Sequence, residues 1–246
     1  MDAARQGQQE GRVAVRRREL LDKVEYRLAE TDAERAAIYR LRYRAYLKEG
    51  AIDPNPQGIV SDRYDNLPNS WIFGIFFEGE LTSSLRITVA SPDNQACPSM
   101  DVFPDLLEPW LSDGKVIVDP TRFVSDPDRT NRVPELAYLT LRLAYVACEH
   151  FRADIGLASV RAEHQAFYRR VFMSAVCPPR VYPGLKKPIG LMEIDFPVTH
   201  MKVFARYPFL RSTAFERHKL FTRTTARSAS PRLAEVPFAT IDHQHI

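Results

Sequence analysis

The sequence predicts one mixed α/β domain built around a central, largely antiparallel sheet. Strand-like and helix-like segments follow one another in the order β-α-β-β-β-α-β-α-β, which is neither a simple alternation nor an all-β pattern. Two adjacent strand-like segments are joined by Glu78-Gly79-Glu80 in the manner of a hairpin. The 246 residues are 45% hydrophobic and 26% charged, an ordinary globular composition with enough chain for one substantial core.

The N-terminal half begins with a predicted strand over residues 24–29. Thr31 and Glu34 form a capping-box signature, and apolar residues then recur at helical spacing to about Tyr46. The segment 49–70 is rich in Gly, Pro, Asp and Asn and predicts a long loop. Three further strands are predicted, over residues 71–77, 81–90 and 115–124.

The C-terminal half alternates helices with strands. Pro134 and Glu135 open a helix that runs to about Phe151, because Pro is tolerated in a first turn, where its missing N–H has no helical partner. A strand over residues 154–160, a helix over 163–173 and a strand over 190–196 complete the order. The polar ends, 1–20 and 225–246, are predicted to be disordered, which leaves residues 21–224 as the folded domain.

Several classes of protein are excluded by composition. The N-terminus is Arg-rich and lacks an apolar core, and no stretch approaches the roughly 18 apolar residues of a membrane helix, so neither secretion nor membrane spanning is expected. The three cysteines are far apart, and neither C-x-x-C nor H-E-x-x-H occurs. We therefore expect reduced thiols, a cytoplasmic protein and no metal.

Four short motifs occur in order along the predicted elements. They are Arg42-Tyr43-Arg44-Ala45-Tyr46, Asp62-Arg63-Tyr64-Asp65, Ser84-Leu85-Arg86 and Asp119-Pro120-Thr121-Arg122-Phe123. The ordered set resembles the acyl-homoserine-lactone (autoinducer) synthases and, more closely, the long-chain N-acyl amino acid synthases. Both groups are enzymes of the GNAT fold (Gcn5-related N-acetyltransferases) that take an acyl chain from acyl carrier protein, so the resemblance implies this fold and an acyltransferase.

The sequence departs from the pattern of the autoinducer synthases at two places, and both bear on which amine accepts the acyl group. Asp119 stands where those enzymes usually have Glu, and their tryptophan after the first helix is absent. Both departures favour an amino acid as acceptor over S-adenosylmethionine. The expected reaction is transfer of a long-chain acyl group from acyl carrier protein to an α-amine. An autoinducer synthase that uses S-adenosylmethionine, or a non-catalytic module that binds nucleic acid or a membrane surface, stays open as an alternative, although nucleic acid is not expected.

Two residues are candidates for the chemistry. An amine that attacks a thioester must lose a proton as the tetrahedral intermediate forms, and a carboxylate is sufficient as the base. Asp119 is the candidate base, and the alternative is a structural ion pair with Arg86 or Arg122. Tyr168 is the candidate proton donor to the departing thiolate, and the alternative is a packed, hydrogen-bonded tyrosine.

A second set of residues is expected to order the substrate site. Arg86 and Arg122 have apolar neighbours in the sequence, and a buried unpaired charge is costly, so both need carboxylate partners. Asp62 and Asp65 are the natural partners, and direct contact with substrate is the alternative. The resemblance implies the ordering role for the whole set: Arg42, Asp62, Asp65, Arg86, Arg122 and Phe123.

The acyl donor is predicted from two basic features. The loop 126–132 lacks the Q/R-x-x-G-x-G/A pattern of acetyl-CoA users, but Arg129, Asn131 and Arg132 can hold the phosphate of a phosphopantetheine arm. This favours a carrier-protein donor, with a coenzyme A thioester possible and no other cofactor. Residues 202–232 contain eight Lys or Arg against one acidic residue, Glu216. This segment predicts a landing surface for acidic acyl carrier protein, or else a solvated tail.

Overall fold

The computed structural model describes residues 19–128, 133, 135–182 and 184–223. Seven strands form one sheet in the order β1-β2-β3-β4-β5-β7-β6. Neighbouring strands are antiparallel except β4 and β5, which are parallel. The strands are β1 (Val24–Leu28), β2 (Ser70–Phe77), β3 (Glu80–Ala90), β4 (Ile117–Ser125), β5 (Ile155–Val160), β6 (Ser174–Ala175) and β7 (Gly190–Asp195).

Helices cover both faces of this sheet. They are α1 (Asp32–Lys48), α2 (Pro104–Ser112), α3 (Leu136–Phe151), α4 (Gln165–Arg170), α5 (Phe196–Arg206) and α6 (Ala214–Phe221). Short 3-10 turns occur at Arg63–Asn66, Pro98–Asp101, Ala162–His164 and Pro208–Leu210. The capping box predicted at Thr31 and Glu34 is present, and it starts α1 at Asp32. No helix in the described ranges is long and apolar enough to cross a membrane.

Alternation along the strands divides the core into two layers. The larger layer lies between α3 and one face of the sheet, where Leu139, Leu143 and Val146 are fully buried together with Phe73 and Ile87. On the other face, α2 packs Phe103, Leu107 and Leu111 against β4 and β5. The first helix, α1, covers the same face as α2, beside β2 and β4. The sheet is therefore the middle layer of three.

The predicted order of elements is confirmed, with two local errors and four additions. The helix predicted over 163–173 is shorter, because Phe172 has φ +67°, a left-handed backbone that an α-helix does not accommodate. The strand predicted to reach Phe196 ends at Asp195, whose carboxylate caps α5 by accepting from Val198 N. Helices α2, α5 and α6 and strand β6 were not predicted. The predicted disordered ends lie outside the described residues, apart from residues 19 and 20.

The sheet divides between its two parallel strands. β4 and β5 are joined by only two residue pairs in the register, Ile117 with Ile155 and Val118 with Gly156. Beyond these pairs, β4 continues beside β3 as far as Ser125, and β5 continues beside β7 as far as Val160. The carboxyl halves of β4 and β5 therefore border a split in the sheet.

Candidate active site

A 3-10 turn holds two aspartates on the face of the sheet that α1 covers. Asp62 caps this turn, and its Oδ1 accepts from Tyr64 N at 2.9 Å. In return Asp65 Oδ2 accepts from Asp62 N at 3.0 Å, which completes a reciprocal capping box. The spacing of three residues therefore turns both carboxylates to the same side.

Three arginines from three different elements meet these carboxylates. Arg42 of α1 donates from Nη1 to both oxygens of Asp65 at 2.9 Å. Arg86 of β3 donates from Nη1 to Asp62 Oδ1 and to Asp65 Oδ1, the latter at 3.0 Å. Arg122 of β4 donates to Asp62 Oδ2 from Nε at 3.0 Å and from Nη2 at 2.6 Å. We call these five residues the ionic cluster.

The ionic cluster is almost completely withdrawn from water. The exposed fraction of the side chain is 0% for Arg42 and Arg86 and 8% for Arg122. Burial alone would raise the pKa of Asp62, but Arg122 and Arg86 hold it well below its usual range. The expected pairing of the arginines with Asp62 and Asp65 is thus present, whereas the role of the set in ordering substrate stays a prediction.

Arg122 reaches Asp62 because β4 contains a bulge. Opposite the stretch from Ser84 to Arg86, β4 has one residue more, from Thr121 to Val124. Within this stretch Arg122 has φ +55°, an unfavourable value for a residue other than glycine. Its neighbour Phe123 packs against the larger core layer and does not join the ionic cluster.

Asp119 lies at the start of the split and is fully buried. Its carboxylate accepts from Ser99 N and from Ser99 Oγ, each at 2.9 Å. Burial raises the pKa of Asp119, although the hydrogen bonds from Ser99 partly oppose the shift. No arginine of the described ranges forms an ion pair with Asp119, so the structural ion pair considered from the sequence is wrong.

Ser99 also connects the two sides of the split. Its Oγ lies 2.9 Å from Ser159 Oγ on β5, while it donates to Asp119 on β4. A hydroxyl has a single proton, so this arrangement makes Ser159 the donor to Ser99. The result is a hydrogen-bonded chain from Ser159 through Ser99 to Asp119.

Tyr168 lies on α4 and is packed against Phe167, with 5.1 Å between the ring centroids. Burial raises the pKa of its hydroxyl, and Tyr46 acts in the same direction. Among the described residues, none forms a hydrogen bond with this hydroxyl. Of the alternative considered from the sequence, the packing of Tyr168 in the core is confirmed and the hydrogen bond is not found among these residues. Its role as a proton donor stays a prediction.

Three residues near the site were not singled out from the sequence. Tyr46 lies with its ring centroid 5.6 Å from Arg122 Cζ, Ser99 binds Asp119, and Tyr182 lies within electrostatic range of Arg122, Asp62 and Asp119. Tyr46 was visible as part of a motif, but nothing local distinguishes Ser99 or Tyr182. The predicted phosphopantetheine residues Arg129, Asn131 and Arg132 lie outside the described residues.

A shallow groove of about 350 Å³ opens beside Tyr64, whose ring centroid lies 5.6 Å from Arg86 Cζ. It lies between the turn at Arg63–Asn66 and the segment 95–101, and Cys97 is part of its lining. Burial raises the pKa of the Cys97 thiol, and the Asp119 carboxylate raises it further. In the described ranges no three His, Cys, Asp or Glu side chains come together as a metal site.

Comparison with known proteins gives one family and one fold. The family model of the N-acyl amino acid synthase FeeM matches residues 37–195, and no curated protein sequence matches the chain. The solved structure of FeeM from uncultured soil microbes has a TM-score of 0.63 at 17% identity, covering 76% of this chain and 97% of FeeM. The predicted GNAT acyltransferase fold is confirmed.

Two acyl-homoserine-lactone synthases share this fold at lower similarity. LasI has a TM-score of 0.52 at 15% identity, covering 69% of this chain and 88% of LasI. The CoA-dependent synthase BjaI, solved with SAM and isopentyl-CoA, has a TM-score of 0.52 at 12% identity. That match covers 76% of this chain and 89% of BjaI.

Proposed function

Since the chain belongs to the FeeM family of N-acyl amino acid synthases and is therefore an acyltransferase, we propose that it moves a long-chain fatty acyl group from acyl carrier protein to the α-amine of an amino acid. The observation that carries this proposal is the buried carboxylate of Asp119 at the mouth of the split between β4 and β5. A carboxyl group with a raised pKa is suited to accept a proton near neutral pH.

The chemistry needs two proton transfers. The neutral amine attacks the thioester carbonyl carbon and forms the C–N bond, and Asp119 accepts the amine proton directly or through one water. The C–S bond then breaks, and Tyr168 donates its proton to the departing thiolate. The hydroxyl of Tyr168 has no protein partner among the described residues, which leaves it available for this step.

The split is suited to an extended thioester arm. Past Val118, the edge of β4 that faces β5 pairs with no strand in the described part of the chain, and the same holds for the facing edge of β5 past Gly156. Backbone N–H and C=O groups at such an edge bind extended amide chains in the way that a sheet adds a strand. A phosphopantetheine arm carries amides of this kind, and no additional cofactor is required.

The preference for carrier protein rests on a basic surface at the carboxyl ends of α4 and α5. Arg169 and Arg170 end α4, and Lys202 and Arg206 lie on the last turns of α5; all four are exposed. The Tyr207 hydroxyl donates to Arg170 O at 2.9 Å, which joins the ends of the two helices. We call these four cations the α4–α5 basic surface, and it complements an acidic carrier protein.

Two arginines of the landing surface predicted at residues 202–232 have partners within the fold, and residues 224–232 of that surface lie outside the described residues. Arg217 donates to Ser212 O at 3.0 Å and pairs with Glu149 at 3.4 Å, so its charge is used within the fold. Arg223 binds Ser70 O and lies over the ring of Trp71, with 4.9 Å from Cζ to the centroid. These two residues hold the C-terminal helix, so we assign docking to the α4–α5 basic surface.

The test is product analysis with competing substrates. Purified protein is incubated with matched acyl carrier protein and coenzyme A thioesters, the twenty amino acids and S-adenosylmethionine, and the products are identified by mass spectrometry. An N-acyl amino acid formed from the carrier-protein thioester is the expected result. An acyl-homoserine lactone with release of methylthioadenosine would contradict the acceptor, and product from coenzyme A alone would contradict the donor.

A further inference from the structure

The ionic cluster contains more positive than negative side chains. Three guanidinium groups, those of Arg42, Arg86 and Arg122, share the carboxylates of Asp62 and Asp65. The Nη2 atom of Arg86 and the Nε and Nη2 atoms of Arg42 are buried and have no hydrogen-bond partner among the described residues. A buried excess of positive charge is unfavourable unless an anion completes it.

Arg122 is the member of the ionic cluster that a ligand can reach. It alone of the three arginines keeps some exposure, and its Nε and Nη2 atoms are already bound to Asp62. Of the described residues, none accepts a hydrogen bond from its Nη1 atom. The guanidinium is held in place by Asp62 and by the ring of Tyr46, so it would lose little freedom on binding an anion.

Tyr182 is a second donor within electrostatic range of Arg122. It lies in the segment between β6 and β7, which closes through the bridge of Arg180 with Ile189. Burial raises the pKa of Tyr182 to about 12, so its hydroxyl keeps its proton at neutral pH, and Arg122, Asp62, Arg86 and Asp119 all act on it. No described residue forms a hydrogen bond with this hydroxyl.

The segment that carries Tyr182 is fixed at both ends. Arg180 Nη2 donates to Asp105 Oδ2 at 2.8 Å, and Arg180 Nη1 donates to Val102 O at 3.0 Å. On the far side, Lys186 N donates to Ala51 O at 3.2 Å. The segment that carries the phenol is therefore fixed at both ends before any ligand binds.

We propose that Arg122 and Tyr182 form a subsite that binds the α-carboxylate of the acceptor. This inference rests on the proposed function, because it assigns a site to the amino acid that is acylated. The carboxylate supplies the anion that the ionic cluster lacks, and it accepts from Arg122 Nη1 and from the Tyr182 hydroxyl. The α-amine, two bonds away from the carboxylate carbon, is then free to face Asp119. An amine without a carboxylate gains none of these contacts.

The experiment compares amino acids with the amines that decarboxylation would give. L-Tyrosine is paired with tyramine and L-leucine with 3-methylbutylamine, and kcat and KM are measured for each. The variants are Tyr182→Phe and Arg122→Lys. The control is Tyr26→Phe, which removes a hydroxyl that donates to Leu139 O at 2.7 Å, outside the ionic cluster.

We expect the wild type to prefer the carboxylate-bearing acceptor of the pair it uses, by roughly 10- to 100-fold in kcat/KM. Tyr182→Phe should raise the KM for the amino acid about tenfold while changing the KM for the amine less than about twofold, and Arg122→Lys should raise the ratio of the two KM values by about the same factor. The control should keep the wild-type preference. Equal losses on both acceptors, or a wild type without preference, would overturn the subsite.

A binding measurement separates the subsite from the reaction. Isothermal titration of the wild type and Tyr182→Phe with L-tyrosine, L-leucine and the two amines needs no acyl donor. Binding that depends on the carboxylate and weakens in the variant supports the subsite even if no acyl transfer occurs, in which case only the proposed function fails. Carboxylate-independent binding, or no binding of either amino acid by the wild type, overturns the subsite.

Discussion

Ser99 donates to Asp119 from both its backbone N–H and its hydroxyl, each at 2.9 Å. The two residues are 20 positions apart and belong to different elements, a 3-10 turn and the strand β4. Hydrogen bonds to the ionised form of a carboxyl group favour that form, whereas burial disfavours it. Ser99 therefore sets how readily Asp119 takes up a proton.

Ser99→Ala should move the pH dependence of the reaction. The hydroxyl stabilises ionised Asp119, so its loss raises the pKa of Asp119 further. The acidic limb of the profile of kcat/KM against pH, where the base becomes protonated, should shift to higher pH by about one unit. Ser174→Ala, on the exposed strand β6, is the control. An unmoved acidic limb in Ser99→Ala would mean that Asp119 is not the titrating base.

Asp65→Asn should destabilise the fold strongly. Asp65 is buried and accepts from Arg42 and Arg86, so the amide leaves two buried guanidinium groups short of negative charge. We expect a loss of about 3–5 kcal/mol in the free energy of unfolding, measured by urea denaturation. Asp105→Asn breaks the exposed pair with Arg180 and should change stability little. Similar losses of stability in the two variants would show that the ionic cluster stabilises the fold no more than an exposed ion pair does.

The C-terminal helix α6 should depend on Arg142. This buried arginine of α3 donates to Phe209 O and Arg211 O, each at 2.7 Å, and pairs with Glu216 of α6. Arg142→Ala should lower the free energy of unfolding by about 3 kcal/mol, because carbonyl groups lose their donors. Hydrogen exchange should rise first in α6. Exchange in α6 that matches the wild type would show that Arg142 does not hold the helix.

Charge reversal of the α4–α5 basic surface should weaken the binding of the carrier-protein donor and leave that of the coenzyme A donor unchanged. Replacing Arg169, Arg170, Lys202 and Arg206 by Glu should raise the KM for acyl carrier protein at least about tenfold at low salt. The KM for the coenzyme A thioester should change little. Lys23→Glu with Arg27→Glu, on the far edge of the sheet, is the control. Equal effects on both donors would remove this surface from docking.

The sequence predicted correctly the features that depend on neighbouring residues, and also those in which a charged side chain needs a partner of opposite charge. The capping box at Thr31 and the hairpin at Glu78-Gly79-Glu80 predicted elements correctly, and the apolar neighbours of Arg86 predicted its carboxylate partners. Helix α2 was missed because Pro109 lies inside it and argues against a helix. Helix α5 was missed because it follows β7 without a break.

The partner of Asp119 and the place of Tyr182 could not be read from the sequence. Both depend on how distant segments pack, since Ser99 lies in a 3-10 turn and Tyr182 in a Pro-rich loop. The sequence offered an arginine as the partner of Asp119, because charge pairing is the only long-range rule that a single sequence supports. Asp119 becomes buried next to Ser99 only when the sheet is assembled.

The central claim is that this chain forms N-acyl amino acids with Asp119 as the base. The most direct test follows the product by mass spectrometry when wild type and Asp119→Asn are incubated with acyl carrier protein thioesters and amino acids. We predict that the wild type forms an N-acyl amino acid. We predict that Asp119→Asn forms it at a rate lower by about 100-fold or more, although its circular dichroism spectrum and melting temperature match those of the wild type. No N-acyl amino acid from the folded wild type, or equal rates from the two proteins, would contradict the account.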